Sequence, residues 1–228
     1  MLIALPNLDG SFTCTLFFQF GGPLSFTSIK TESDCENFFK TYFPDAIGLI
    51  PEYKQQFFSN PTSSLQTVRC YPWVYKNKAA LIGDAAHAIV PFFGQGMNCG
   101  FEDCTVLNEL MTNYNENWDE VLPRFQQMRK PNADAIAELA LNNFIEMRDL
   151  VADPVFLRKK QIEKMVAKKF PDRFIPPYSM VSFNHIPYSE ALSKGSRYGE
   201  MLSRLYEIEN LENVFDSEAV QQIIESYL

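Results

Sequence analysis

Gly83-Asp84-Ala85-Ala86-His87-Ala88-Ile89-Val90-Pro91-Phe92-Phe93-Gly94-Gln95-Gly96-Met97-Asn98 is the stretch whose reading decides the fold. It follows a small apolar run, residues 79–82, that reads as a strand, and it leads into a helix expected to begin near Gln95 or Gly96. A carboxylate placed just past a strand end can accept hydrogen bonds from sugar-alcohol hydroxyls, which suits Asp84. Gly94 and Gly96 lack a Cβ, so backbone amides there can come within hydrogen-bond distance of a flat ring. The helix that follows presents unpaired N–H groups and a partial charge of roughly +0.5, a suitable neighbour for a ring that gains negative charge on reduction. Read blandly, the same residues are a strand-end turn and a loop before a helix; their order and spacing together favour a binding role. His87 and His185 read more readily as structural histidines than as catalytic ones.

Upstream, residues 1–5 and 11–18 are rich in apolar and β-branched residues, and the Asp9-Gly10 pair between them favours a hairpin turn. Ser33-x-x-Glu36 has the form of a capping box and precedes a short amphipathic helix ending at Pro44-Asp45. A second short helix is expected over residues 51–57 and a strand over residues 65–75, closed by a turn at Lys76-Asn77-Lys78. Downstream the pattern turns helical: residues 121–147 with a kink or boundary at Pro131, then 154–170, 188–207 and 216–227. Residues 171–187 hold four prolines and read as an ordered loop without helix.

The 228 residues carry 20 Lys+Arg against 28 Asp+Glu, a formal charge of −8, which argues against a surface built for nucleic acid or anionic lipid. The five cysteines (Cys14, Cys35, Cys70, Cys99, Cys104) lack paired metal-ligand spacing and read as reduced thiols of a cytoplasmic protein, with no metal expected. No run approaches the length of a membrane span. The apolar start at Met1-Leu2-Ile3 reads as a strand already inside a sheet, so further sequence is expected upstream.

The GDAAH…P…GQGMN run is similar to the second FAD motif of the flavoprotein aromatic hydroxylases, in which the acidic residue meets the ribityl chain and the helix start faces the flavin ring. Other segments, among them Ile3-Ala4-Leu5-Pro6-Asn7, Tyr42-Phe43-Pro44-Asp45-Ala46-Ile47, Asn143-Phe144-Ile145-Glu146-Met147 and Phe174-Ile175-Pro176-Pro177-Tyr178, resemble the kynurenine-hydroxylating branch, with the resemblance weakening after about Gly195. It implies an α+β or α/β fold corresponding to the C-terminal part of such an enzyme. Residues 1–76 would supply antiparallel strands of a substrate domain, 77–113 the FAD-contacting strand, loop and helix, and 114–228 a helical region that completes the pocket.

By the same resemblance, Gly83, Asp84, Pro91, Gly94, Gln95, Gly96, Met97 and Asn98 would contact FAD. Met1, Ile3, Leu5, Thr15 and Phe17, on one hairpin face, would wall the substrate ring, with Phe92 and Phe93 closing the pocket beside the flavin. Asn143 and Met147, four apart on a helix, and Tyr178, whose hydroxyl would bind an amino-acid carboxylate, complete the set. NADPH would reduce FAD, and O2 would supply the oxygen placed on the 3-position of L-kynurenine; no acid–base residue is required of the protein. The GxGxxG strand–turn–helix of the family, its adenosine-ribose acid and its substrate-carboxylate arginine do not occur in these 228 residues, so the isolated chain is expected to be inactive without the preceding half. A related monooxygenase acting on another aromatic compound, or a non-catalytic truncated module, are the alternatives.

Overall fold

The computed structural model describes residues 1–228, which divide between Ser64 and Leu65 into two compact units. In the first, β1 (Leu2–Pro6) and β2 (Phe12–Leu16) pair antiparallel with Leu2 opposite Leu16 and Ile3 opposite Thr15. Gly10 turns the hairpin at φ +83°, a left-handed conformation that glycine adopts at low cost. Strand alternation then separates two faces. Leu16 and Phe18 pack with Ile29, Cys35, Phe38, Phe39 and Tyr53, the core that α1 (Glu32–Tyr42) and α2 (Tyr53–Ser59) build. The Met1, Ile3, Leu5, Thr15 and Phe17 face is the alternate one, and Leu5 and Thr15 on it are exposed.

The cap of α1 lies two residues ahead of the expected Ser33. Thr31 Oγ1 accepts from Asp34 N at 3.1 Å, and the Asp34 carboxylate accepts from Thr31 N at 2.9 Å. Asp is shorter than Glu, but from the third helical position it still reaches back to the cap amide. Thr31→Ala should lower the stability of residues 1–64 by about 1 kcal/mol, read as a shift in the urea midpoint; an unchanged midpoint would show that the cap contributes nothing.

In the second unit the strand expected over residues 65–75 is irregular except for Val74–Tyr75 (β3), which pairs antiparallel with Ala79–Ala80 (β4). Pro72 has no N–H to offer a ladder, and the Trp73 and Val74 amides instead meet Gln126 Oε1 at 2.6 and 3.3 Å. Beyond β4 come α3 (Asp84–His87), a 3-10 turn (Pro91–Phe93) and α4 (Gly96–Asn113), so the predicted strand, loop and helix are present with two short helical turns inside the loop.

Helix α5 (Trp118–Ile145) runs through Pro123 and Pro131 without a break, so of the kink or boundary expected at Pro131 the boundary is absent. Val121, Leu122, Phe125, Ala133, Ile136 and Ala140 are buried along it, and this packing outweighs the roughly 3 kcal/mol cost of an interior proline. A π-helical segment (Glu146–Leu150) ends it. Helices α6 (Pro154–Lys169), α8 (Tyr188–Tyr206), α9 (Leu211–Val214) and α10 (Glu218–Glu225) follow. The segment read as loop contains α7 (Pro177–Phe183), because Pro177 sits at the helix start, where its missing N–H costs nothing. One core cluster joins Cys99 of α4 to Ile136, Ile162, Val166, Met201 and Leu205.

Candidate cofactor and substrate site

Asp84 opens α3 and leaves its carboxylate to solvent, while Gly83 before it has φ +59°. Gly94 is left-handed at φ +66°, and a Cβ on either glycine would meet no atom within 4 Å, so both backbones face open space. At the start of α4 no side chain caps the N–H groups, and Met97 is 70% exposed. The turn and this helix start are adjacent: a Cβ on Gly100 would lie 3.8 Å from Gly83 Cα. An accessible carboxylate, two open glycines and an uncapped helix end on neighbouring segments fit the ribityl and ring portions of a flavin.

What holds these segments together is a buried ionic cluster. Asp103, fully buried on α4, accepts from Gly83 N at 3.0 Å, lies 2.5 Å from His87 Nε2, and meets Arg129 Nε of α5 at 2.6 Å. Arg129, 2% exposed, also donates to Cys99 O at 3.2 Å and pairs with Glu102 at 2.9 Å on the rim. His87, Cys99 and Asp103 lie close enough together to suggest a metal site, but the Arg129 guanidinium already supplies the cation there. His87 is buried, with its ring held between Asp103 and Cys99.

Burial pulls the His87 pKa down, but its contacts with Asp103 and Cys99 outweigh that and push it up to about 10. For Asp103, burial works upward and is overcome by His87, Arg129 and the Gly83 amide, which hold it below the usual carboxylate range. The folded His87 pKa exceeds its ordinary 6.5, so its stabilisation is complete below about pH 6.5 and is lost as pH rises toward 10. The Asp103 contribution is instead present above its ordinary 3.8 and is lost as pH falls below that. Thermal stability should therefore decline between pH 7 and 10, and His87→Gln should flatten that slope. An equally steep slope in the variant would place the titrating group elsewhere.

The remaining predicted residues fall into four places. Gln95 turns inward, 7% exposed, and accepts from Tyr188 Oη at 3.1 Å and Asn98 Nδ2 at 3.0 Å, leaving only backbone to face a cofactor at that position. Phe92, Phe93, Asn143, Met147 and Tyr178 come together. Asn143 Nδ2 donates to Phe92 O at 2.7 Å and lies 3.6 Å from Met147 Sδ, Phe92 stacks on Phe144, and Phe93 stacks on Tyr178 at 5.6 Å. Phe93, Asn143 and Tyr178 line a groove of about 1570 Å³ bordered by α5, α6 and α8. Pro91 is exposed at the start of the 3-10 turn. Met1, Ile3, Leu5, Thr15 and Phe17 share their hairpin face in the first unit.

Asp103 and Arg129 escaped the reading of the sequence, although a signal was present. Asp103 lies four residues after Cys99 and seven before Leu110, on the buried stripe of α4, and Arg129 lies between Phe125 and Ala133 on that of α5. A charge on an apolar stripe calls for a buried partner of opposite sign.

Residues 59–140 match the FAD binding domain family. The chain is 52% identical over 224 residues to a kynurenine 3-monooxygenase of Flavobacterium johnsoniae, covering 98% of this chain and 50% of that one. It is 50% identical to the same-named protein of Christiangramia forsetii, over 100% of this chain and 51% of the other, and 46% identical to that of Dictyostelium discoideum, over 100% and 53%. The matched regions extend past Gly195, and the chain spans about half the length of these curated relatives. No helix is long and apolar enough to cross a membrane. The Gly83–Asn98 stretch and the ionic cluster behind it lie within the part that matches the FAD binding domain family, and nearly the whole chain is similar to about half of these kynurenine 3-monooxygenases.

Proposed function

We propose that this chain is the C-terminal half of a cytoplasmic FAD-dependent, NADPH-using monooxygenase that converts L-kynurenine to 3-hydroxykynurenine, and that it acts only together with the preceding half. The observation that carries this reading is the similarity of 46–52% identity, over nearly the whole chain, to half-spanned kynurenine 3-monooxygenases. Bound FAD supplies the activation of O2. The side chains here position and exclude. Asp84 would accept hydrogen bonds from the ribityl hydroxyls, and the amides that open α4, Gly96 to Asn98, would hold the pyrimidine end of the ring, where their partial positive charge would favour the reduced state. Gly83 and Gly94 allow that approach.

Met1, Ile3, Leu5, Thr15 and Phe17 offer their shared hairpin face to the substrate, and residues 77–113 hold the flavin. Asn143, held by its bond to Phe92 O, orients the substrate beside Met147, and the Tyr178 hydroxyl meets its carboxylate. Phe92 and Phe93 keep water from the reacting face. The amine on the substrate's own ring activates the attacked carbon, so no acid–base residue is needed from the chain.

The test is NADPH consumption by the chain joined to the half of the Flavobacterium johnsoniae relative that it does not span. L-Kynurenine should stimulate consumption and simple hydroxybenzoates should not. Stimulation by a hydroxybenzoate alone would assign a different aromatic substrate, and turnover by the unjoined chain would remove the need for a second half.

A further inference from the structure

Asp103 contacts three segments at once through a single buried carboxylate. Its Oδ2 takes the Gly83 N–H at 3.0 Å and His87 Nε2 at 2.5 Å, and its Oδ1 takes Arg129 Nε at 2.6 Å. Gly83 is the residue immediately before Asp84, and Asp103 lies two turns into the helix whose first turn would face the flavin ring. Arg129 fixes that helix from α5 by donating to Cys99 O, and the Trp73 ring, 5.3 Å from the His87 ring, closes the other side. Two carboxylates, Glu102 and Asp103, face two basic side chains, Arg129 and His87, so the cluster is neutral when His87 is protonated. All three central side chains are too buried to touch a ligand themselves.

We infer that Asp103, acting through Gly83 and His87, is a positioning residue that sets the Asp84 turn against the amino end of α4. The inference rests on the flavin reading of that site and deepens it. Hydrogen bonds accepted by Asp84 and donated by the helix amides must meet one rigid cofactor together, so about 1 Å of slippage between the two segments costs both affinity and tuning of the ring. Asp84 is one residue from Gly83, and the first turn of α4 ends at Cys99, whose carbonyl Arg129 holds. Their relative placement is therefore fixed from behind.

The experiment compares His87→Ala, His87→Gln and Asp103→Asn. In the chain itself, amide hydrogen exchange at Gly83 and through His87 should quicken in His87→Ala and Asp103→Asn about tenfold or more beyond any change at residues 201–205 of α8. Gln retains an N–H that can reach Asp103, so His87→Gln should restore most of the protection. In the chain joined to the other half of the Flavobacterium johnsoniae relative, FAD should bind about tenfold more weakly in His87→Ala, with rescue in His87→Gln, and the potential of the bound flavin should become more negative as the helix end loses its aim. An unchanged FAD affinity and potential beside a loosened turn would show the cluster to be structural only and overturn the proposal. So would full protection of Gly83 in both His87→Ala and Asp103→Asn. If the unsubstituted protein binds no FAD, the flavin reading fails, and the exchange data alone decide whether Asp103 holds the turn. Should Asp103→Asn fail to fold, the His87 pair carries both readouts.

Discussion

Asp103→Ala should destabilise residues 65–228 by about 3–5 kcal/mol, among the largest losses that one substitution in this chain can produce. The reason lies less in the lost bonds than in what stays behind. Arg129 and His87 are 2% and 4% exposed, and without Asp103 both cations remain in a site that water does not reach, with only the rim carboxylate of Glu102 for company. The Gly83 amide also loses its acceptor. Trp73 is buried against His87 and Phe125, so its fluorescence reports the unfolding directly in a urea titration. A loss below about 1 kcal/mol would mean that the cluster is not a tight ionic core.

Asp84→Ala should weaken FAD binding by the assembled protein about 10- to 100-fold and leave the urea midpoint nearly unchanged. A hydrogen bond accepted by a carboxylate is worth roughly 1.5–3 kcal/mol, which gives that range. Stability should barely move because Asp84 is exposed and makes its contribution to a ligand, and exposed substitutions of this kind stay within about 0.5 kcal/mol. The contrast with Asp103 separates the two acids: one holds the turn, the other meets what the turn presents. Quenching of flavin fluorescence on titration reads the affinity; equal affinity in parent and variant would remove Asp84 from the site.

Much of this was legible in the residues. Alternation fixed the two faces of the first hairpin, and apolar spacing located α4, α5, α6 and α8 to within a few residues, because each buries a continuous stripe. The failures share a cause. Pro131 marks a boundary by local rule, yet α5 passes through it because its neighbours are pinned by packing and by Arg129. Residues 65–75 alternate like a strand, yet their amides find Gln126 and Ala88 instead of a ladder. Proline-rich sequence around Pro177 starts a helix whose next residue, Tyr178, stacks on Phe93 from a distant segment. At the candidate site, the GDAAH and GQGMN pieces were visible, but what sets their spacing was not: Asp103 and Arg129 act across 20 and 26 residues of sequence, a distance that local patterns do not span.

A crystal structure of the chain joined to the other half of its Flavobacterium johnsoniae relative, grown with FAD, addresses the central claim most directly. It should show the Asp84 carboxylate within hydrogen-bond distance of the ribityl hydroxyls, and the amides that open α4 directed at the pyrimidine edge of the same isoalloxazine. A flavin bound elsewhere, or packed side chains lying between Asp84 and Gly96, would contradict it.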